Sequence, residues 1–231
     1  MPKPTRAQLK SLIDAVLSGI NPAASAYLNR NTADAAYAAY VFGLVLRAVK
    51  RVADPGSVYL DSAKSGGPKK LPKHAFVIRG APGPLHSTDQ AFGFACFAYK
   101  KENFEIHLGV QYRGSSAVLH EFDISIVRKK DAEESRQTRR PPGPGKPCAV
   151  FECKFYDKNL GIGLGREFVG LRSDFTSVPL ARMVTNSDSE SVALFLKKNN
   201  RPKLSKRIEP SNQNMQDEFI YAMADELRNS L

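Results

Sequence analysis

The hydrophobic period of this chain changes once, near residue 75, from that of a helix to that of a strand, and the change restricts the chain to a mixed fold. Before it, Leu9, Leu12, Ile13, Val16, Leu17 and Ile20 recur at i, i+3, i+4, i+7, i+8 and i+11. That is one stripe of an amphipathic helix, ended by Asn21-Pro22. A second helix is expected from a cap at Asn31 or Thr32 to Ala53, where Asp54-Pro55-Gly56 stops it. It is apolar on nearly every side and should be buried. Residues 56–74, rich in Ser, Gly, Pro and Lys, read as loop.

Beyond residue 75 the pattern alternates. His74 to Arg79 and Phe92 to Tyr99 are short strand candidates on either side of the turn-rich run from Gly80 to Pro84. Phe104, Ile106, Leu108, Val110 and Tyr112 alternate with Glu105, His107, Gly109 and Gln111, the pattern of a half-buried strand. After the Gly114-Ser115-Ser116 turn, Phe122, Ile124 and Ile126 alternate with Glu121, Asp123 and Ser125. Residues 128–147 are charge-dense, then Pro/Gly-rich, without an apolar period, and read as a mobile basic loop. A third strand spans Ala149 to Tyr156. Gly161 to Gly165 then leads into a helix ending near Ser173, followed by a short strand from Ala181 to Thr185. Ser187 to Asn199 reads as helix, Lys197 to Lys206 as a basic connector, and Gln213 to Leu231 as a terminal helix. The fold class expected is α/β, a mixed central β-sheet flanked by helices. Residues 1–74 would form a helical extension and linker packed on a core of residues 75–231.

Charge narrows the partner. With 34 Lys+Arg against 23 Asp+Glu, the 231 residues carry a net charge of +11, which favours a polyanion. No apolar run approaches the roughly 18–20 residues of a membrane helix. The amino terminus lacks the layout of a secretory signal, and three cysteines are too few for a disulfide scaffold. The expectation is a cytoplasmic, prokaryotic protein without a membrane partner.

The chemistry concentrates in Phe151-Glu152-Cys153-Lys154-Phe155. Successive strand side chains point to opposite faces, so Glu152 and Lys154 share one face, and Glu121 and Asp123 share a face of the preceding strand. Pairing the two strands would gather Asp123, Glu152 and Lys154, with Glu121 beside them. Carboxylates so gathered suit a hard cation with oxygen ligands, Mg²⁺ or Mn²⁺. A nearby lysine can hold or deprotonate a metal-bound water, or neutralise a phosphoryl group. Glu152-Cys153-Lys154 is the single acid-x-Lys triplet in the chain.

Asp123, followed after a strand and a loop by Glu152-Cys153-Lys154, resembles the Asp…(Asp/Glu)-x-Lys signature of the restriction-endonuclease-like PD-(D/E)xK nuclease superfamily. That family places the first acid at the end of one central strand and the acid-x-Lys in the next, followed by a helix and a further strand. The match covers residues 104 to 200. Phe122 stands where the signature often has proline, and the long spacing to Glu152 takes the 128–147 segment as an insertion. The resemblance implies a Mg²⁺- or Mn²⁺-dependent endonuclease acting on nucleic acid, with DNA as the expected polymer and homodimerisation left open. By the same resemblance Asp123 and Glu152 bind the metal, the Cys153 carbonyl completes its shell, and Lys154 serves the attacking water.

Other features supplement or compete with this reading. His120 adjoins Glu121 and Asp123 and is a candidate supporting residue. Arg166, at the start of the glycine-led helix, is placed to receive a phosphate alongside free amides. Arg128, Lys129, Lys130, Arg139 and Arg140 are the candidate nucleic-acid contacts. The rival readings are a non-catalytic nucleic-acid-binding module of the same fold and a nucleotide-binding enzyme using the Gly161–Gly165 turn. Zinc is not expected, since no Cys-x-x-Cys pair exists and the four histidines are scattered.

Overall fold

A computed structural model describes residues 5–28, 33–62, 76–87, 91–156, 158–175, 178–198 and 203–231. Helix α1 (Arg6–Ser18) opens on a capping box, Thr5 accepting from the Gln8 amide while the Gln8 side chain returns to Thr5. Its stripe of Leu9, Ile13 and Leu17 is buried against α2 (Ala33–Lys50), whose apolar residues from Ala36 to Val49 are buried except the half-buried Ala38. The caps expected at Asn31 or Thr32 lie outside the described residues. A two-stranded parallel sheet, β1 (Ala26–Leu28) with β3 (Phe76–Ile78), sits beside these helices.

The main sheet is mixed. It runs in the order β10 (Lys203–Ser205), β9 (Leu180–Thr185), β8 (Pro147–Lys154), β7 (Leu119–Arg128), β6 (Glu102–Arg113), β5 (Gly93–Tyr99) and β2 (Tyr59–Ser62). The short β4 (Gly83–Pro84) lies parallel to β6. From β2 to β8 neighbours are antiparallel, while β8, β9 and β10 are parallel. Residues of α1, α2 and α6 (Gln213–Ser230) share the hydrophobic cluster on one face. Residues of α3 (Lys129–Thr138), α4 (Ile162–Ser173) and α5 (Glu190–Lys198) share that on the other. Tyr37 of α2 is fully buried between α2 and the sheet, its ring 5.0 Å from that of Phe155, and its hydroxyl donates to the Ile208 carbonyl at 2.9 Å. Burying such a ring contributes about 2–3 kcal/mol. No helix among the described residues is long and apolar enough to cross a membrane.

Several expectations need correction. Residues 129–138 are a helix, not a mobile loop. Arg136 of α3 donates to the Glu105 carboxylate beneath it, and Lys146 binds Asp131 at 2.6 Å and Glu134 at 3.1 Å, so tertiary ion pairs fasten a segment with little apolar content. Residues 59–62 leave the expected loop to add β2 to the sheet, and the basic connector contains β10; the rest of the 56–74 loop from residue 63 onward lies outside the described residues. Strand β6 is buried on both faces rather than one: Glu105 and His107 lie under α3, with His107 Nε2 2.8 Å from Glu105. Its alternation also breaks at Gly109. Phe104, Ile106 and Leu108 face the α2 side, whereas Val110 and Tyr112 face the α4 side. Gly109 has φ +57°, a conformation glycine adopts at little cost, and that turn of the backbone swaps the faces. Strand β7 switches in step, Ile124 and Ile126 facing one side and Phe122 the other.

Candidate functional site

The acids collect where β7 and β8 part. Paired residues run from Ile124↔Phe151 toward the start of β8, so Asp123 and Glu152 are the next residues beyond the last cross-strand pair. There the Asp123 side chain takes over the ladder's work: its Oδ2 accepts from the Cys153 amide at 2.6 Å. Strand β8 meanwhile stays paired with β9 through Lys154↔Thr185, and Asn186 clips the chain just beyond. The Asn186 side chain accepts from the Tyr156 amide at 2.9 Å and donates to the Tyr156 carbonyl at 3.0 Å. Glu152 and Lys154 therefore sit on a strand fixed along one edge and open along the other. The Lys154 ammonium lies 2.5 Å from Glu152 Oε1.

Charge at this fork is unbalanced. Burial, then Glu152 and more weakly Glu121, push the Asp123 carboxyl up to about 8, against the pull of the Cys153 amide and of Lys154. Burial and Glu152 push Glu121 up to about 7, with Lys154 and Arg79 opposing. Burial pulls Lys154 down, but Glu152 more than offsets this and holds the ammonium above the ordinary lysine range. Lys154 is thus a fixed cation and donor rather than a base. Three interacting carboxylates face one lysine and one arginine, and a hard cation with oxygen ligands fits that deficit of positive charge. Among the described residues, no three His, Cys, Asp or Glu side chains stand close enough together to form a ready cation cage. The carboxylates that would hold a cation are Asp123 and Glu152, the first now bonded to the Cys153 amide and the second to Lys154.

A cleft of 270 Å³ opens at this end of the sheet, walled by Asp34 and Ala38 of α2, by Arg79 to Ala81, by Leu108 and Gly109, and by Glu121, Asp123 and Cys153. Arg79 and Asp34 were not among the residues expected from the sequence. The Arg79 chain passes over Gly109, where a side chain would crowd it, and its guanidinium stacks on the Phe92 ring at 4.0 Å and donates to the Pro84 carbonyl at 3.4 Å. Its only local sign is its place before Gly80-Ala81-Pro82, a position that announces a turn and says nothing of the acids.

The supporting residues are divided. His120 is turned from the acids: its Nε2 lies 2.7 Å from Asp174, and its ring meets Phe175 edge-on. Ser116 also donates to Asp174, so this carboxylate, held below the usual range by Ser116 and His120, clasps the β6–β7 turn to the end of α4. Arg166 is exposed on α4, whose first turn follows the bare N-cap Gly161. Arg128, Lys129 and Lys130 lie at the far end of β7, about 17 Å from Asp123 at strand rise. Arg139 and Arg140 are exposed, and α3 has carried them back to the acid end, where the Arg113 amide donates to the Pro142 carbonyl. No family model, no curated protein and no solved structure matches this chain.

Proposed function

We propose that the protein is a metal-dependent nuclease hydrolysing phosphodiester bonds, with DNA as the expected polymer. The observation that carries this reading is the placing of Asp123 and Glu152 as cross-strand neighbours at the β7–β8 fork, with Lys154 two residues on. The order of elements supports it once α3 is taken as an insertion: an acid-bearing strand, then α3, an antiparallel strand with acid-x-Lys, a helix, and a further strand parallel to the second. Asp123 and Glu152, with the Cys153 carbonyl, would hold Mg²⁺ or Mn²⁺, which supplies Lewis-acid polarisation of the phosphate and acidifies water. Lys154, held protonated by Glu152, orients the attacking water or steadies negative charge on the phosphoryl oxygens. Arg79 brings a second cation to the cleft wall, and Arg139 and Arg140 offer charge to the polymer backbone at the same end of the molecule.

The test is cleavage of plasmid and oligonucleotide substrates with and without Mg²⁺ or Mn²⁺. Asp123→Ala and Glu152→Gln should each abolish cleavage while sparing fold and salt-sensitive binding, and Lys154→Ala should remove turnover while sparing metal affinity more than the acid changes do. The two acid changes together should cost no more than either alone, because they act as one unit. Metal-dependent cleavage by a Glu152→Gln protein free of contaminating nuclease refutes the assignment. Salt-sensitive binding without cleavage by the unsubstituted protein favours the non-catalytic module.

A further inference from the structure

Two glycines and an aromatic ring make room for one arginine at the acid cleft. Arg79 follows β3, and its half-buried side chain forms part of the cleft wall. A Cβ on Gly83 would overlap Nη1 of Arg79, and a Cβ on Gly109 would come 3.2 Å from its Cδ. Gly83 lacks the positive φ of Gly109, so what it supplies is space for the guanidinium rather than a turn of the backbone. The Phe92 ring backs the guanidinium at 4.0 Å, and Nη2 donates to the Pro84 carbonyl at 3.4 Å. The head is thereby fixed beside a particular row of residues. Leu108↔Ile124 and Val110↔Phe122 bracket Gly109, which stands across from Asp123. Asp123 in turn stands across from Glu152, one step beyond the pair Ile124↔Phe151. The Arg79 chain therefore crosses a backbone about 5 Å from that of Asp123 on the β6 side. Lys154 stands on the β8 side, against Glu152. One cation thus flanks Asp123 from each neighbouring strand. The charge of Arg79 also reaches Glu121, where it opposes the rise that burial and Glu152 impose.

We infer that Arg79 is a further catalytic residue of the nuclease proposed above, a fork that donates to a non-bridging oxygen of the scissile phosphate from the side away from Lys154. The inference rests on that reading. A guanidinium presents five N–H donors in one plane and keeps its charge throughout the working pH range, so it can serve a phosphoryl oxygen while it stays on Pro84 and Phe92. A fixed cation beside the carboxylates repels further cations on its own side and favours the anionic group of a substrate. Its immobility matters as much as its charge, because a donor already in place needs no reorganisation as negative charge grows on the phosphoryl oxygens. In the reaction a water oxygen bonds to phosphorus and the bond to the leaving ester oxygen breaks, the electron pair departing with that oxygen. The water gives its proton to solvent and the leaving oxygen takes one from solvent. Arg79 donates hydrogen bonds throughout and gives up no proton.

Two measurements on the full chain test the assignment. The first is binding of duplex DNA without added metal, on the cleavage-dead Asp123→Ala background. There Arg79→Met should flatten the log–log salt dependence by about 0.9, the worth of one phosphate contact. The second is steady-state cleavage in Mg²⁺ by otherwise unsubstituted protein. Arg79→Met should lower kcat about 10²-fold, the effect of losing one preorganised donor, and Arg79→Lys should recover part of the loss, since it keeps the charge without the fork. Gly83→Ala leaves the arginine in the chain but displaces its head, because the new Cβ takes the space of Nη1. With the thermal melt preserved, its kcat should fall about ten-fold, as expected for a misplaced donor. An unchanged salt slope, or unchanged kcat in both Arg79→Met and Gly83→Ala, overturns the inference and leaves the nuclease reading standing. So does a loss in Arg79→Met that is matched by a lowered melt while Gly83→Ala stays fully active, because Arg79 would then only support the fold. No metal-dependent cleavage by the unsubstituted protein overturns the nuclease reading, and the catalytic role of Arg79 with it.

Discussion

Replacing Asp123 by Asn isolates the electrostatic load at the fork. The amide keeps an oxygen for the Cys153 N–H, which the carboxylate now satisfies at 2.6 Å, but it cannot ionise. Burial and the neighbouring Glu152 raise the Asp123 carboxyl from its ordinary 3.8 to about 8. Between those values the folded protein keeps a proton that the unfolded chain has released. Stability therefore falls as pH rises through the window, by about 1.4 kcal/mol per pH unit for one proton. Relative to Asp123→Asn, the unsubstituted protein should lose about 3 kcal/mol between roughly pH 5 and pH 7. For a chain of this size that is about 5–10 °C in Tm. Paired thermal melts across that range measure it, the variant becoming the more stable protein as pH rises. Millimolar Mg²⁺ or Mn²⁺ at the alkaline end should then close the gap, because a dication between Asp123 and Glu152 supplies the missing positive charge and stabilises only the state that binds it. Melting curves that stay parallel with pH refute the electrostatic account. A gap that opens but ignores both cations leaves the acids without the metal-binding role proposed for them.

What the sequence disclosed and what it hid divide along the range of the forces involved. The strands β6, β7 and β8 were legible because alternation is local, and the register that sets Asp123 beside Glu152 follows once two such strands pair. Helix α3 was illegible for the opposite reason. Its residues, Lys-Lys-Asp-Ala-Glu-Glu-Ser-Arg-Gln-Thr, bury only Asp131, Ala132 and Ser135, and what holds them is Arg136 on Glu105 and Lys146 on Asp131, partners 31 and 15 residues away. Composition correctly showed charge but not where the charge would be spent. The same contact buries Glu105 and His107, which alternation assigns to solvent. The cleft wall was hidden by a dihedral angle: only the positive φ of Gly109 turns Val110 and Tyr112 to the other face and lets the Arg79 chain pass. Strands β2 and β10 are short, and their pairing is decided entirely by the longer neighbours they join. His120 shows the limit of adjacency in sequence, since a residue three before Asp123 in an extended strand points to the other face, where it is drawn to Asp174 at the opposite side of the turn.

The remaining predictions follow from particular contacts. Binding to duplex DNA should weaken with salt, and Arg139→Gln with Arg140→Gln should flatten the log–log slope by about 0.9 per lost phosphate contact; neutralising Arg128, Lys129 and Lys130, at the far end of β7, should leave it unchanged. Gly109→Ala should lower the urea midpoint by the equivalent of about 1–2 kcal/mol, because φ +57° strains a side chain and its Cβ would lie 3.2 Å from Arg79 Cδ; a change within experimental error refutes the role given to that turn. Limited trypsin digestion should cut after Arg139, since proline follows Arg140, before it cuts after Arg136, which is held on Glu105. The anchoring of α3 gives the last prediction. Glu105 is 1% exposed, and although burial opposes its charge, His107 and Arg136 hold the carboxyl below its usual range. Burial outweighs Glu105 in keeping His107 below the ordinary histidine value, so Arg136 is the full positive charge facing that carboxylate near neutrality. Arg136→Met would retain most of the side-chain packing, including that near the Phe94 ring now under the guanidinium at 5.0 Å, and strip the charge. A buried carboxylate that loses its cation costs about 3–5 kcal/mol, so the variant should be destabilised by that order at neutral pH in urea titrations. Because the lowered carboxyl stabilises the fold above its unfolded pKa and stops doing so as pH falls through the folded one, the unsubstituted protein should lose this advantage in acid. The difference between the two proteins should therefore shrink toward pH 3–4, and a cost below about 1 kcal/mol at neutral pH would mean that α3 is held by something other than the Glu105 pair.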